Sequence, residues 1–156
     1  MINNITFDEP KVLKAIEDLL VKAFKEDDEK DNDFWFNAFE KKDIEVIKEN
    51  YGRKEYFPCF NVTILNPIPY GSTNTQIEQY TQFDFEINCY NQKTKIYDKR
   101  SLGLLINVRM KRILQETYGL TITSNQEMVS PDDTIYRRVI RGRTIYDNKN
   151  DTFYRV

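Results

Sequence analysis

The sequence predicts an α+β fold of two layers: a four-stranded antiparallel (mixed) sheet packed by two main helices, in the order α-β-β-α-β-β, with a helical insertion after the first helix. Three observations carry this expectation. Apolar residues recur at helical spacing from Val12 to Phe24 and from Leu102 to Ile113, the stripe that one face of an α-helix buries. Apolar and polar residues alternate from Phe60 to Ile64 and from Phe83 to Tyr90, as in strands buried on one side only. Thr134 to Val156 reads TIYRRVIRGRTIYDNKNDTFYRV, a long run dense in β-branched, aromatic and arginine residues, then a polar turn and a short second strand: a terminal hairpin.

At 156 residues, positions 1–156 read as one domain, long enough to bury roughly 70% of the surface its unfolded form exposes. In the first helix Asp8 caps the start and Pro10 fits the first turn. Val12, Leu13, Ile16, Leu19, Leu20, Ala23 and Phe24 form the core stripe. The acidic run EDDEKDND, Glu26 to Asp33, reads as a solvated loop; it lacks the glycine and distal glutamate of a calcium loop. Phe34, Trp35, Ala38 and Phe39 share a helical face that packs on the core, and Asp43 reads as the cap of a short helical piece ending near Tyr51-Gly52. Residues 26–52 are the insertion.

The sheet is expected to begin near Phe57. Asn66-Pro67 ends its first strand, and a loop follows through Pro69, Gly71, Ser72, Thr73 and Asn74, long for a hairpin connection. In the next strand Phe83, Phe85, Ile87 and Cys89 point one way; Asp84, Glu86, Asn88 and Tyr90 point to solvent or a partner. Asp98 or Ser101 caps the second helix. Its main stripe is Leu102, Leu105, Ile106, Met110 and Ile113, while Leu104 and Val108 lie opposite, as in a helix covered on two sides or one with two exposed apolar residues. Gly119 supplies a left-handed cap. A strand from Leu120, a loop at Ser130-Pro131-Asp132-Asp133 and the terminal hairpin follow.

The net charge of −2 and pI of about 5.3 argue against a general nucleic-acid binder, which needs positive charge to neutralise phosphates. Ten Tyr and ten Phe suit strands, and tyrosine also favours protein contacts. No signal peptide or long apolar span is read. Cys59 and Cys89 then read as reduced core residues, and the sequons at Asn4, Asn61 and Asn150 as chance matches.

The sequence contains no histidine, which removes Ser-His-Asp and Cys-His pairs and histidine-containing zinc sites. Its five glycines are scattered and form no phosphate loop. No catalytic residue, metal site or cofactor is therefore assigned. Asp84 and Glu86 with Lys93 or Lys95 superficially resemble a metal-dependent nuclease site, but the lysines lie beyond the strand and alternating acids are ordinary on a wet face. The remaining candidates are Arg137, Arg138, Arg141 and Arg143, which suit phosphates or carboxylates across a subunit interface, or a solvated strand face that blocks edge pairing. Arg137, Arg141 and Arg143 share strand parity unless Gly142 marks a bulge that shifts the phase.

The order of elements, with the stretches KVLKAIEDLLVKAF, YFPCFNVTILNP, YTQFDFEINCYNQ, LGLLINVRMKRILQETYGLTIT and TIYRRVIRGRTIYD…DTFYRV, resembles the tail-terminator (tail-completion) proteins of long-tailed bacteriophages and related contractile particles. Residues 26–52 depart from the compact pattern of that family. The resemblance implies a non-enzymatic virion protein of the tail or neck, made in the host bacterial cytoplasm. It would assemble with itself as a ring, commonly a hexamer, capping the head-proximal end of the tail tube, stopping its polymerisation and joining it to the head. Implied partners are the tail-tube protein, the head-connector or neck protein and, in a contractile tail, the sheath; no membrane and no direct nucleic-acid readout are expected. A head-completion or connector subunit of the same assembly is the alternative. A head-to-tail ring needs two complementary surfaces per subunit. The expected ones are the terminal hairpin, with Arg137, Arg138, Arg141 and Arg143, and the loop from Asn66 to Tyr80, with Pro67, Pro69 and Tyr70; Leu104 and Val108 add contact from the second helix.

Overall fold

The computed structural model describes residues 6–47, 57–71, 79–130 and 132–154. Helix α1 (Glu9–Lys30) starts where expected, with the Asp8 carboxylate accepting from Lys11 N and Pro10 in its first turn. Val12, Ile16, Leu19, Leu20 and Phe24 are its buried face. It runs further than the sequence suggests: Glu26 to Lys30 continue the helix instead of forming a loop. A short helix α2 (Phe34–Ala38) follows, and strand β1 (Glu45–Val46) stands where a capped helical piece was expected after Asp43. The predicted end of that piece, Tyr51-Gly52, lies outside the described residues, as do Ser72 to Asn74 and Pro131.

Strands β2 (Cys59–Pro69) and β3 (Tyr80–Gln92) come next, then helix α3 (Lys99–Arg112), capped by Asp98, whose carboxylate accepts from Ser101 N at 2.7 Å. One π-helical turn (Ile113–Thr117) extends α3, and Gly119 (φ 66°) closes it in the left-handed conformation. Strands β4 (Thr121–Met128), β5 (Ile135–Asp147) and β6 (Thr152–Tyr154) complete the order.

The sheet has six strands, not four, in the order β1-β2-β3-β5-β4, with β6 also on β5. It is mixed because β1 pairs parallel to β2; the other pairings are antiparallel. β4 and β6 lie end to end along the same side of β5, the former against Arg137–Arg143 and the latter against Ile145–Asp147. β2 does not end at Asn66-Pro67. Those residues form an irregularity between Leu65 and Ile68, with Asn66 at φ 52°, after which pairing with β3 resumes through Pro69. Tyr80 is strand, not loop.

The helices cover one face of this sheet, α1 over β2 and α3 over β3 and β5. The shared core joins Phe60, Val62 and Ile64 of β2, Phe83, Phe85, Ile87 and Cys89 of β3, Ile140 of β5, and the helical stripes. Trp35, Ala38, Phe39 and Ile44 belong to it too, so the described part of 26–52 is built into the core. The other face is not uniformly wet. At the Gln92 end of β3, Phe57, Cys59, Tyr90 and Ile135 form a second buried cluster, and Asn88 is also buried there.

Gly142 makes no bulge in β5: the β3–β5 register runs unbroken from Tyr80↔Asp147 to Gln92↔Ile135. The shift lies on β4, between Ile122 and Ser124. Glycine is required for closeness, since a Cβ there would lie 2.3 Å from Phe85 Cζ and 2.6 Å from Thr121 O. Gly142→Ala is expected to destabilise the fold by about 1–3 kcal/mol through overpacking, lowering Tm by roughly 2–12 °C for a domain this size, as read by calorimetry.

Both cysteines are free and buried, as expected. Burial pushes the thiols of Cys59 and Cys89 up to about 12, so almost no nucleophilic thiolate exists at neutral pH. Alkylation by iodoacetamide at pH 8 should therefore leave both unmodified in the native protein and label both after denaturation, as counted by mass spectrometry.

Candidate protein-interaction surfaces

The unbroken β3–β5 register settles the arginine faces. Arg137, Arg141 and Arg143 lie on the open face; Arg138 lies on the helix-covered one, opposite Cys89. Each has a partner within the chain. Arg143 Nε donates to Asp84 Oδ1 at 2.8 Å and Arg141 Nε to Glu86 Oε2 at 3.2 Å. Arg137 donates twice to Asn88 Oδ1, at 3.1 and 2.8 Å, with its guanidinium 5.7 Å above the Tyr90 ring. Arg138 donates to Asn125 Oδ1 (3.0 Å) and Tyr136 Oη (3.1 Å), joining a network in which Asn107 and Asn125 exchange two amide hydrogen bonds between α3 and β4. Asp84 and Glu86 thus hold arginines across the β3–β5 pair. Among the described residues no group of three or more acidic or cysteine side chains is arranged to hold a metal ion, and Lys93 and Lys95 lie past the end of β3.

The terminal hairpin and the 66–80 region, expected as two surfaces, meet at one end of the sheet. The Tyr80 and Tyr154 rings meet at a tilt of 52° with centroids 4.9 Å apart, and Asn148 N donates to Gln79 O. Leu65, Ile68 (52% exposed), Tyr70 and Tyr154 are exposed there, beside Asn66, Pro67 and Pro69. Leu65 and Ile68 share the open face, since they pair with Asp84 and Gln82. Asp147 stiffens the turn of the hairpin. Burial alone would raise its carboxyl, but hydrogen bonds from Asn150 and Lys149 outweigh this and hold it low. At the opposite end of the strands, Ile96 in the connection leaving β3 (69% exposed) and Val129 just past β4 (91%) are bare.

The third exposed apolar surface lies in the helix layer. Phe34, Trp35, Ser101, Leu104, Leu105, Val108, Arg109 and Arg112 line a groove of about 550 Å³ between α2 and α3. Leu104 and Val108 fall here, the latter half exposed. Leu105 does too, against expectation: the buried face of α3 is Leu102, Ile106 and Met110, continued by Ile113, which rotates Leu105 outward. Gly103 lets Tyr136 pack against α3, because a Cβ there would lie 2.2 Å from the tyrosine ring.

The acidic run holds this groove in shape. Asp27 takes Arg109 by both oxygens, at 2.6 and 2.8 Å, and also accepts from Trp35 Nε1 at 3.0 Å. Asp28 accepts from the backbone N–H groups of Trp35 and Phe36. Burial pushes the Asp28 carboxyl up, the two N–H groups opposing it. Only position in the fold distinguishes these two acids from the four others in the run; the one sequence cue is a tryptophan just downstream.

A scan against protein-family models finds no matching family, and a search of curated proteins finds no match.

Removing the half-buried Arg109 guanidinium leaves Asp27 without its cation, so Arg109→Ala is expected to cost about 1–3 kcal/mol and to shift the emission of Trp35. Arg143→Ala, at an exposed pair, should leave Tm unchanged within error. Thermal melts with tryptophan fluorescence check both.

Proposed function

We propose that this protein is a structural subunit that closes a ring at the head-proximal end of a phage tail, ending tube growth and presenting a joining surface to the head. One observation supports this reading beside the resemblance: all nine exposed large hydrophobic side chains of the described residues fall in three separate places. One is the β2–β6 end of the sheet, one the opposite end of the strands, and one the groove in the helix layer. A closed ring is heterologous, with one patch of a subunit meeting a different patch of the next. The two strand ends form such a pair, donor at Ile68 and Tyr154, acceptor at Ile96 and Val129. The groove is left for a protein above or below the ring. Scattered single apolar residues need no explanation, but grouped ones such as those at the β2–β6 end and in the groove mark contacts.

Three kinds of partner follow: further copies, the tail-tube protein and a head-connector protein. The arginines of β5 enter indirectly. Paired with Asp84 and Glu86, they keep the middle of the open face polar between the two apolar ends.

Native mass spectrometry and electron microscopy with purified tail tubes test the reading. Wild-type protein should form a closed ring alone or at tube ends, and Ile68→Asp or Val129→Asp should remain a folded monomer. A wild-type chain that stays monomeric at high concentration and leaves tube ends bare would overturn the reading. Rings formed unchanged by both variants would overturn the placement of the contact.

A further inference from the structure

The α2–α3 groove is more specific than an apolar contact. Its exposed α3 wall, Ser101, Leu104, Leu105, Val108 and Arg112, recurs at three- and four-residue steps over about three turns, roughly 16 Å of helix. Such a wall matches the i, i+3/i+4, i+7 side chains of a second helix laid alongside it. The charge on its α3 wall has one sign, the Asp27 carboxylate beside it being taken by Arg109 and the Glu127 carboxylate by Arg100. α3 contains Lys99, Arg100, Arg109, Lys111 and Arg112 and no acid. The only charged residues in the lining are Arg109 and Arg112. Arg109 is taken by Asp27; Arg112 has no ion pair with any described residue. The acids nearest along the chain, Asp31 and Asp33, do not line the groove.

We propose that this groove receives an amphipathic helix of a partner protein whose polar flanks are acidic. A second copy of the chain does not supply such a helix among its described residues. The apolar stripe of α1 is buried in the core, and its outer face mixes signs in Lys14–Asp18 and Lys22–Glu26 pairs. A lipid surface meets protruding side chains, whereas the floor of this groove is recessed, with Trp35 only 6% exposed. The inference rests on the proposed function only in taking the groove for an assembly surface.

Trp35 is the single tryptophan of the chain and lines the groove, so its emission reports occupancy directly. The full chain is titrated with a synthetic helical peptide of about four turns carrying leucines at i, i+3, i+7 and i+10 with glutamate flanks. A peptide with the same leucines and lysine flanks is titrated in parallel, as are phosphatidylcholine/phosphatidylglycerol vesicles, together with dilution of the protein alone. The expected result is a saturable Trp35 shift with the glutamate peptide, weakened by salt and about tenfold weaker with the lysine peptide, about 1.4 kcal/mol. Leu105→Asp and Arg112→Glu, both surface changes, should each reduce it while leaving Tm in place. Equal binding of the two peptides, a response to vesicles alone, a response to protein concentration alone, or no response would each overturn the proposal. Ring assembly of Leu105→Asp is measured beside it: rings without peptide binding defeat the groove assignment alone, and peptide binding without wild-type rings defeats the ring alone.

Discussion

The thirteen-residue ladder between β3 and β5 is the constraint on which the rest of the molecule depends. Both strands are long, and their pairing is unbroken, so one parity holds from end to end. Side chains alternate strictly across a sheet, and a slip of one residue would exchange its faces. That parity sends Phe85, Ile87 and Ile140 into the core and Asp84, Glu86, Arg141 and Arg143 to the open face as cross-strand pairs. It also explains why position 142 is glycine. Phe85 is opposite, and its ring occupies the space a side chain would need. The irregularities of the sheet lie outside this pairing, at Asn66-Pro67 in β2, beyond the residues that β1 pairs, and next to Ile122 in β4, where a lost ladder bond does not disturb the centre.

A second constraint fixes the helix layer. Asp27 and Asp28 end α1 by holding what comes next: the Trp35 indole, the first N–H groups of α2, and Arg109 of α3. A carboxylate near N–H groups at a helix start is favoured by both hydrogen bonding and the helix dipole. Tying three helices through two acids sets the spacing between α2 and α3, and that spacing is the groove. Phe24 and Phe39 pack edge-on or tilted against Trp35 and each other, with centroids 4.9 to 6.3 Å apart, so the floor is backed by the core.

Much of this was legible in the residues. The stripe of α1, the alternation of β3 and the β5–β6 hairpin are periodic signals over many positions, and the periodic parts matched. What failed was local. EDDEKDND reads as a solvated loop because charge runs usually are, yet Asp27 and Asp28 gain partners 7, 8 and 82 residues away. Asn66-Pro67 reads as a strand end because proline removes a ladder donor, but this part of β2 lies beyond the residues that β1 pairs and tolerates it. β1 is only two residues long, too short for any period. Leu105 was put on the core stripe by spacing alone; Gly103, buried against Tyr136, sets the rotation of α3 instead. Arg137, Arg141 and Arg143 find their partners within the chain, 49 to 59 residues away. Only the register could identify those partners.

The pairing of those arginines bears on where assembly can occur. A contact over the middle of the open face would strip water from Arg143–Asp84 and Arg141–Glu86, pairs whose side chains are now partly exposed. Taking charges out of water costs several kcal/mol per ion, returned only when new geometry is very good. The pairs already satisfy each other, so a neighbour has little to add. The strand ends differ from the middle in carrying bare apolar side chains. Ile68, Tyr70 and Tyr154 at one end expose apolar area, and burying such area is favourable at roughly 25 cal/mol per Å²; Val129 at the other end is bare too but sits among Lys99, Arg100, Glu127 and Asp132. The same ladder that neutralises the middle of the open face therefore leaves the apolar strand ends and the groove of the helix layer as the surfaces where burial has most to gain.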